Sequence, residues 1–309
     1  MSIERREIKS REEWLEWRKQ DYTASNIGAL FDCHPYTTAL RMFAEKRGTE
    51  FLFEDNKVLR RGRWLEPAIS KAVEELRPEW KLIPPNEYLR DPDLRLGATP
   101  DFYIEGDQRG RGICQTKSVA PSVYQRDWND GAEVPLWIVL QATVEAMLAN
   151  ADFAVVAALL IDPHNMDCVI HELPRNQQAE DKIKQAVFRF WQDVENGIEP
   201  EPDFEKDADV IKAIWKRESE PPVEIDLSVD NRIPALLEER AALKSAEKMA
   251  HDRIESINTQ LIYAMKDAAV ATGLDGWRIT YKTTHFKEYT VAARDSRVLR
   301  VTDKREKQS

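Results

Sequence analysis

The chain has 309 residues, of which 42% are hydrophobic and 32% are charged, and its formal net charge is −10. This balance indicates a soluble globular protein of one large domain or two ordinary ones. No apolar run approaches the roughly 20 residues of a membrane helix, and the charged N-terminal residues lack the apolar core of a signal peptide. The three cysteines and five histidines are too scattered for a zinc site. We therefore expect a cytoplasmic protein with no membrane partner.

The charge is unevenly distributed along the chain. Residues 64–272 carry the acidic excess, whereas residues 1–63 and 273–309 each carry a small excess of basic side chains. A clustered acidic region is compatible with metal binding, and basic ends are compatible with phosphate contacts. A charged segment is also commonly no more than a solvated face, so charge alone does not decide the function.

The N-terminal region is predicted to be helical. Ser10 and Glu13 form a capping box that starts a helix through WLEWRKQ. TASNIGALF predicts a second helical segment with Ser25 as its cap. A third helix, ALRMFAEKR, begins after Thr37 or Thr38. A fourth, KVLRRGRWLEPAISKAVEEL, has apolar residues at helical spacing.

The central region predicts a sheet with further helices. Strand patterns occur in KLIPPNEYL, LGATPDFYIE and GICQTKSVA. The apolar helix VPLWIVLQATVEAMLAN precedes FAVVAALLID, a run typical of a central strand covered on both faces. MDCVIHEL is its expected neighbour, and NQQAEDKIKQAVFRFWQDVENG predicts an amphipathic helix. This order indicates an α/β fold with a central mixed sheet flanked by helices.

The last third of the chain predicts a separate region. Segments rich in proline and acidic residues indicate a linker over residues 206–230, between a domain of residues 1–205 and a C-terminal arm of residues 231–309. Residues 231–272 form a long helical pattern, which is either an arm within the chain or a coiled-coil contact between chains. The segment GWRITYKTTHFKEYTV alternates like a β-hairpin.

The two strand patterns around residue 110 carry the chemistry. Adjacent strands place Asp101, Gln115 and Lys117 on one face, because side chains two residues apart on a strand point the same way. Carboxylates hold Mg²⁺ at a scissile phosphate, and a nearby lysine can orient or deprotonate water. Glu66 and the backbone carbonyl of Thr116, whose side chain should point away, complete the predicted site. Two interpretations without a catalytic role stay open. Asp101 is then only a turn residue, and Gln115 and Lys117 only lie on the solvated face of a strand.

The chain resembles the phage lambda exonuclease / YqaJ-type viral recombinase family, within the PD-(D/E)XK nuclease superfamily, over residues 10–195. Five segments carry this resemblance in the family's order: WRKQDYTASNIGALFDCHPYTTALRMFAEKRG, RRGRWLEPAISKAVEE, GATPDFYI, CQTKS and WIVLQATVEAML. The resemblance implies a mixed sheet flanked by helices and a Mg²⁺-dependent exonuclease, with Mn²⁺ as a substitute, that degrades double-stranded DNA 5′→3′. It also implies a ring-type homotrimer that works with a single-strand annealing protein in phage recombination.

The resemblance assigns catalytic roles to single residues. Asp101 matches the metal-binding aspartate, Lys117 the catalytic lysine, and Glu66 the glutamate of the G-x-x-x-E motif that begins at Gly62. The chain departs from the family at Gln115, where a glutamate is usual. We expect Gln115 to bind Mg²⁺ through its amide oxygen Oε1, more weakly than a carboxylate would. Two alternatives therefore stay open: a DNA-binding or assembly protein with a degenerate or mutated nuclease site, and an endonuclease of the same fold.

The resemblance also assigns DNA contacts. Arg18 and Ser25 match the residues that hold a terminal 5′-phosphate, and Thr99 and Gln141 match further residues of the DNA-binding site. Each has a structural alternative: an exposed helix charge, a helix cap, a turn hydroxyl, and a buried amide that satisfies polar neighbours.

Overall fold

The computed structural model describes residues 2–51, 57–288, 290, 293 and 296–303. The chain divides into two compact units, Met1–Trp215 and Lys216–Ser309. All of the residues with a predicted site role belong to the first unit. Within the described ranges, no helix is both long enough and apolar enough to span a bilayer.

Helices and strands alternate along the first unit. Its α-helices are α1 (Arg11–Gln20), α2 (Ala39–Lys46), α3 (Lys57–Leu76), α4 (Pro121–Asp127), α5 (Leu136–Ala149), α6 (Gln177–Asn196) and α7 (Ala208–Ile214), and 3₁₀ helices occupy Ala24–Phe31 and Asn129–Gly131. Its strands are β1 (Glu4–Glu7), β2 (Tyr22–Thr23), β3 (Lys81–Ile83), β4 (Glu87–Asp91), β5 (Leu96–Ala98), β6 (Phe102–Asp107), β7 (Gly110–Val119), β8 (Phe153–Ile161) and β9 (Met166–Pro174). The predicted α/β fold is confirmed.

The centre of the first unit is a mixed five-stranded sheet with the order β3-β6-β7-β8-β9. Strands β7 and β8 run parallel, and the other neighbours run antiparallel. A smaller sheet has the order β1-β4-β5-β2. Residues 153–159 of β8 are all buried, because α3 and α5 contact β8 from the two core clusters that flank the sheet. This confirms the prediction of a central strand covered on both faces.

The alternation of side chains along β7 decides which helix each of them meets. Ile113 belongs to the core that α5 closes, whereas Cys114 packs with Ile69 of α3 on the opposite face. Because side chains alternate along a strand, Gln115 and Lys117 share the face of Ile113 and point toward α5. The sheet therefore directs both functional side chains of β7 at a single buried helix.

The register of the β6–β7 hairpin brings Asp101 to the same place. Phe102 pairs with Cys114, so Asp101, one residue before β6, lies level with Gln115. Lys117 lies further along β7, opposite Ala158 of β8. The hairpin thus gathers the predicted catalytic residues at one end of the two strands.

The helix caps agree with the sequence at two positions and differ at a third. The Ser10 hydroxyl accepts from the Glu13 backbone nitrogen at 3.1 Å, and Thr38 caps α2 through the backbone nitrogen of Arg41. Ser25 is not a cap, because the 3₁₀ helix begins one residue earlier, at Ala24. The Ser25 hydroxyl is consequently available to a side chain from another helix.

Part of the predicted linker is helical. In α7, Val210 is buried against Leu40 and Ala44 of α2. The residue before α7, Asp207, accepts a hydrogen bond from the Thr38 hydroxyl at 2.5 Å. Residues 208–214 therefore pack against α2 within the first unit. Their apolar pattern is short and lies between proline- and acid-rich segments, so the sequence did not predict this helix. The three-part domain division stays a prediction.

The second unit contains helix α8 (Arg232–Met265), which is shorter than the predicted helical stretch, and a hairpin of β10 (Val270–Leu274) and β11 (Trp277–Thr280). The predicted C-terminal hairpin is confirmed, but it lies earlier in the chain than GWRITYKTTHFKEYTV: its turn lies at Asp275 and Gly276, both with positive φ, and residues 281–288 form no strand. An Asp-Gly pair favours such two-residue turns, which explains why the hairpin begins before the predicted segment. The last part of the predicted hairpin includes residues outside the described ranges.

Candidate active site

The carboxylate of Asp101 is held by hydrogen bonds from residues of β7. Its Oδ2 accepts from the Thr116 backbone nitrogen at 2.8 Å, from the Thr116 hydroxyl at 2.7 Å and from Gln115 Nε2 at 2.8 Å. The expectation that the Thr116 side chain points away from the site was wrong. Asp101 lies just outside the paired part of β6, so its carboxylate reaches donors from both faces of β7.

Lys117 and Gln115 are joined through helix α5. Lys117 Nζ donates to Gln141 Oε1 at 3.1 Å. Gln141 Nε2 donates to Gln115 Oε1 at 3.0 Å and to Glu145 Oε1 at 2.8 Å. Gln141 and Glu145 lie one turn apart on α5, so both face the same strand. The structure therefore places Gln141 beside the catalytic residues and adds Glu145, and the DNA-binding role of Gln141 stays a prediction.

The chemistry of the end groups sets the direction of this network. A lysine ammonium only donates and a carboxylate only accepts, whereas an amide does both. Gln141 must turn its oxygen to Lys117 and its nitrogen to Glu145, and Gln115 must then turn its nitrogen to Asp101. The amide nitrogen of Gln115 cannot bind a cation. The predicted ligand role of Gln115 Oε1 would therefore require this amide to rotate.

Glu66 approaches the same carboxylate from α3. Burial raises the pKa of Glu66, and the negative charge of Asp101 raises this pKa further, while Arg63 and Lys117 oppose the rise. Burial likewise raises the pKa of Asp101, against the opposing effects of Lys117 and the Thr116 hydrogen bonds. Two such carboxyl groups favour a cation between them, because a cation relieves both burial and mutual repulsion.

The Lys117 ammonium is itself buried. Burial lowers the pKa of Lys117, and the nearby carboxylates of Asp101, Glu145 and Glu66 oppose this effect. A lowered pKa makes a lysine a better proton acceptor near neutral pH. The position of Lys117 thus suits contact with a water molecule at the metal site.

The residues present fit a magnesium site of few protein ligands. In the described part of the chain, no three His, Cys, Asp or Glu side chains form a metal-holding group. Mg²⁺ is commonly held by one or two carboxylates together with water and substrate phosphates. Asp101 Oδ1 accepts no hydrogen bond from any described residue. Glu66 lies close enough for the charge of Asp101 to raise its pKa. With the Thr116 carbonyl, these two carboxylates supply a suitable oxygen set.

A second cluster forms around Arg18. Arg18 Nη2 donates to the Ser25 hydroxyl at 2.9 Å, and its guanidinium lies 4.5 Å from the centre of the Trp14 ring. The Trp14 indole nitrogen donates to the Thr99 hydroxyl at 3.0 Å. Three of the predicted DNA-contacting residues are therefore brought together, with Trp14 between them. A planar guanidinium beside a hydroxyl suits a phosphate group.

His34 connects this cluster to the catalytic lysine. Its Nδ1 accepts from the backbone nitrogens of Tyr36 and Thr37, so its Nε2 carries the proton that it donates to the Ser25 carbonyl at 3.1 Å. Burial lowers the pKa of His34, which favours this neutral form. The His34 and Trp137 rings are 5.2 Å apart, and Lys117 Nζ lies 5.2 Å from the Trp137 ring. The two clusters are thus neighbours in the first unit.

Sequence reasoning missed Glu145, Trp14 and His34. Glu145 had a detectable signal, because a glutamine and a glutamate four residues apart in an otherwise apolar helix indicate a shared polar contact. Trp14 and His34 had no such signal, because their partners are distant in sequence.

Comparison with known proteins gives one family match and several similar solved structures. Residues 13–154 match the family model of the YqaJ-like viral recombinase domain. No curated protein sequence matches the chain significantly. The alkaline exonuclease LHK-Exo from Laribacter hongkongensis is similar at a TM-score of 0.49 and 17% identity, over 65% of this chain and 99% of that chain. A phage related exonuclease from Haemophilus somnus 129PT has a TM-score of 0.42 and 15% identity, over 58% of this chain and 96% of that chain.

The family match covers both clusters. The Arg18 cluster, the Asp101 and Lys117 network and the α5 residues all lie between residues 13 and 154. The predicted resemblance is therefore confirmed over the part of the chain that carries the candidate site. Over residues 13–154 the chain is therefore similar to the YqaJ-like viral recombinase domain.

Proposed function

We propose that this protein is a Mg²⁺-dependent nuclease that degrades double-stranded DNA from its ends. The observation that carries the proposal is the meeting of Asp101, Glu66 and Lys117 at one end of the β6–β7 hairpin. Two carboxylates beside a buried lysine provide the oxygen ligands and the proton acceptor that phosphodiester hydrolysis needs. The YqaJ-like domain, which contains all three residues, supports this assignment.

Each residue has a defined part in the proposed reaction. Asp101, Glu66 and the Thr116 carbonyl would hold Mg²⁺, which would neutralise charge at the scissile phosphate. Lys117, as a neutral amine favoured by its lowered pKa, would orient the attacking water and accept its proton. Gln141 fixes the position of the lysine through the 3.1 Å hydrogen bond to Nζ.

The Arg18 cluster would select DNA ends. Arg18 and Ser25 offer a guanidinium and a hydroxyl to a terminal 5′-phosphate, and Thr99 lies beside them through Trp14. Binding of that phosphate next to the catalytic residues would give 5′→3′ digestion. The family resemblance supports this polarity.

One digestion experiment tests the activity and the end preference together. Linear duplex DNA with a 5′-phosphate is compared with the same duplex carrying a 5′-hydroxyl, with Mg²⁺ and then with Mn²⁺. We expect faster digestion of the phosphorylated duplex and no digestion after chelation of the metal. Equal rates would remove the end-phosphate role. Cleavage of covalently closed circular DNA would instead identify an endonuclease.

A second candidate function rests on the orientation of Gln115. Its amide nitrogen faces Asp101 at 2.8 Å, which favours a DNA-binding or assembly protein whose nuclease site is degenerate. Comparing Mg²⁺-dependent digestion by the protein and by Gln115→Glu separates the two functions. Activity in the glutamate variant alone supports degeneracy, and activity in both supports the nuclease.

The assembly of the protein is a further part of the proposal. A ring-type homotrimer and a single-strand annealing partner both come from the family resemblance. Measuring the molar mass in solution with and without duplex DNA tests the trimer. Co-elution with a single-strand annealing protein tests the partner.

A further inference from the structure

Glu145 is a buried carboxyl group that forms no ion pair with any described residue. Its side chain is 1% exposed, and Oε2 has no hydrogen-bond partner among the described residues. Burial raises the pKa of Glu145 to about 8. A buried carboxyl group with an unsatisfied oxygen destabilises a fold. The burial of this carboxyl group in the apolar helix α5 therefore indicates that its other oxygen, Oε1, has a role in the site.

That bonded oxygen meets the residue that connects both sides of the catalytic network. Glu145 Oε1 accepts one hydrogen of Gln141 Nε2 at 2.8 Å, and Gln115 Oε1 accepts the other at 3.0 Å. The Gln141 oxygen is left for Lys117. Without an acceptor at residue 145, the nitrogen end of Gln141 has lost one of its two partners, and an amide has nearly the same shape in its flipped orientation.

A flipped Gln141 would disturb residues beyond itself. Its nitrogen would then face Lys117, which also only donates, and its oxygen would face Gln115. Gln115 would have to turn its own oxygen toward Asp101, where two acceptors repel. Together with the Lys117 donor at the other end of Gln141, the acceptor at Glu145 therefore fixes a chain of three contacts that ends at Asp101.

Glu145 also interacts with members of both clusters of the site. Its carboxyl group interacts electrostatically with Lys117 of the catalytic network, with Asp101 and with Arg18 of the end-phosphate cluster. The arrangement around Gln141 is thus set by a residue that neighbours both subsites.

We infer that Glu145 is a positioning residue of this site, whose carboxyl oxygen fixes the amide orientation of Gln141 and thereby the placement of Lys117 and Gln115. The consequence for hydrolysis rests on the proposed nuclease function, whereas the effect on amide orientation does not. A protonated carboxyl still accepts through its carbonyl oxygen. The role requires an acceptor at this position, so a glutamine should replace the glutamate.

Three variants test the acceptor role. Glu145→Gln keeps an acceptor, and Glu145→Leu removes it. Glu145→Met also removes it with a more adaptable side chain, so a packing fault in one apolar variant does not decide the result. Glu180→Leu is the matched control, because Glu180 is buried on α6, 2% exposed, and bonded to Arg175 outside the site.

The first readout is independent of nuclease activity. Hydrogen exchange of the side-chain amides of Gln141 and Gln115 is followed by NMR in protein labelled with [¹⁵N]glutamine. We expect both apolar variants at Glu145 to exchange at least about tenfold faster than the wild-type chain. Glu145→Gln and the Glu180 control should keep the wild-type protection. Unchanged protection in the apolar variants would overturn the inference.

The second readout is the split between kcat and the half-saturating DNA concentration. Glu145→Leu and Glu145→Met should lower kcat about tenfold, with little change in half-saturation, and Glu145→Gln should restore kcat to within about threefold of wild type. A glutamine variant as slow as the leucine variant would overturn the acceptor role. If the wild-type chain digests no DNA, the proposed function fails while the exchange measurement still decides the positioning role.

Discussion

Helices α5 and α8 both carry many apolar side chains, yet they differ in what surrounds those side chains. In α5, ten of the 14 residues are buried, including Gln141 and Glu145. In α8, Met265 is the buried residue among its 34 residues, all of which are described, and Leu236 and Leu243 are exposed. The polar groups of α5 thus lie in an apolar environment, whereas those of α8 face water.

This difference decides where a single side chain matters. A hydrogen bond inside an apolar core has no water to replace it, so loss of one partner leaves the other unsatisfied. A substitution on an exposed helix face exchanges one solvated side chain for another and usually changes stability little. We expect changes around α5 to have large effects on chemistry and changes on α8 to have small effects on folding.

The largest effect is expected from Lys117→Ala. The substitution removes the proposed proton acceptor and leaves Gln141 Oε1 without its 3.1 Å donor. Digestion of linear duplex DNA with Mg²⁺ should slow about 100-fold or more, measured as single-turnover product release. Lys81→Ala, at an exposed position of β3 in the same sheet, serves as the control. Equal rates in the two variants would contradict the mechanism.

Arg18→Ala should have the next largest effect, confined to DNA ends. Loss of a charge-assisted contact to phosphate should reduce the preference for 5′-phosphorylated over 5′-hydroxyl duplex about tenfold or more. Digestion of the hydroxyl substrate should change little. Arg11→Ala, at an exposed position of the same helix, should keep the full preference, and a loss of preference in that control would assign the effect to net charge.

A third prediction concerns the departure at Gln115. In Gln115→Glu a second carboxylate faces Asp101, so the melting temperature should fall without metal and recover with Mg²⁺. The Mg²⁺ concentration for half-maximal digestion should fall on the order of tenfold, because an added ligand charge strengthens cation binding. Gln178→Glu, an exposed change of the same kind, controls for charge. If Mg²⁺ does not change the melting temperature of Gln115→Glu, residue 115 does not face the metal.

Much of the first unit follows from the sequence because its signals are local. Side-chain alternation in β6 and β7 predicts the common face of Gln115 and Lys117, and the Ser10 cap predicts the start of α1. These elements can be predicted from residues that are close together in the sequence. The apolar run of β8 likewise predicts its own burial on both faces.

The parts that sequence reasoning missed depend on contacts between distant segments. The Thr116 hydroxyl reaches Asp101 because the aspartate lies outside the paired register, which a strand pattern alone does not define. The direction of the Gln115 amide depends on Gln141, 26 residues later. The structure of α7 depends on a buried contact with α2, which outweighs the acidic composition around it.

The smallest effect is expected from Leu243→Ala on α8, and its matched partner is Leu148→Ala on α5. Leu148 is 0% exposed and Leu243 is 63% exposed. The α5 variant should lose about 3–5 kcal/mol of unfolding free energy through lost burial and a cavity, whereas the α8 variant should lose less than about 0.5 kcal/mol. Urea denaturation at two protein concentrations measures both. A large loss at Leu243 that shrinks with dilution would show that a second copy of the chain covers this face. The long helix would then form the coiled-coil contact that the sequence also allows, and not an exposed arm.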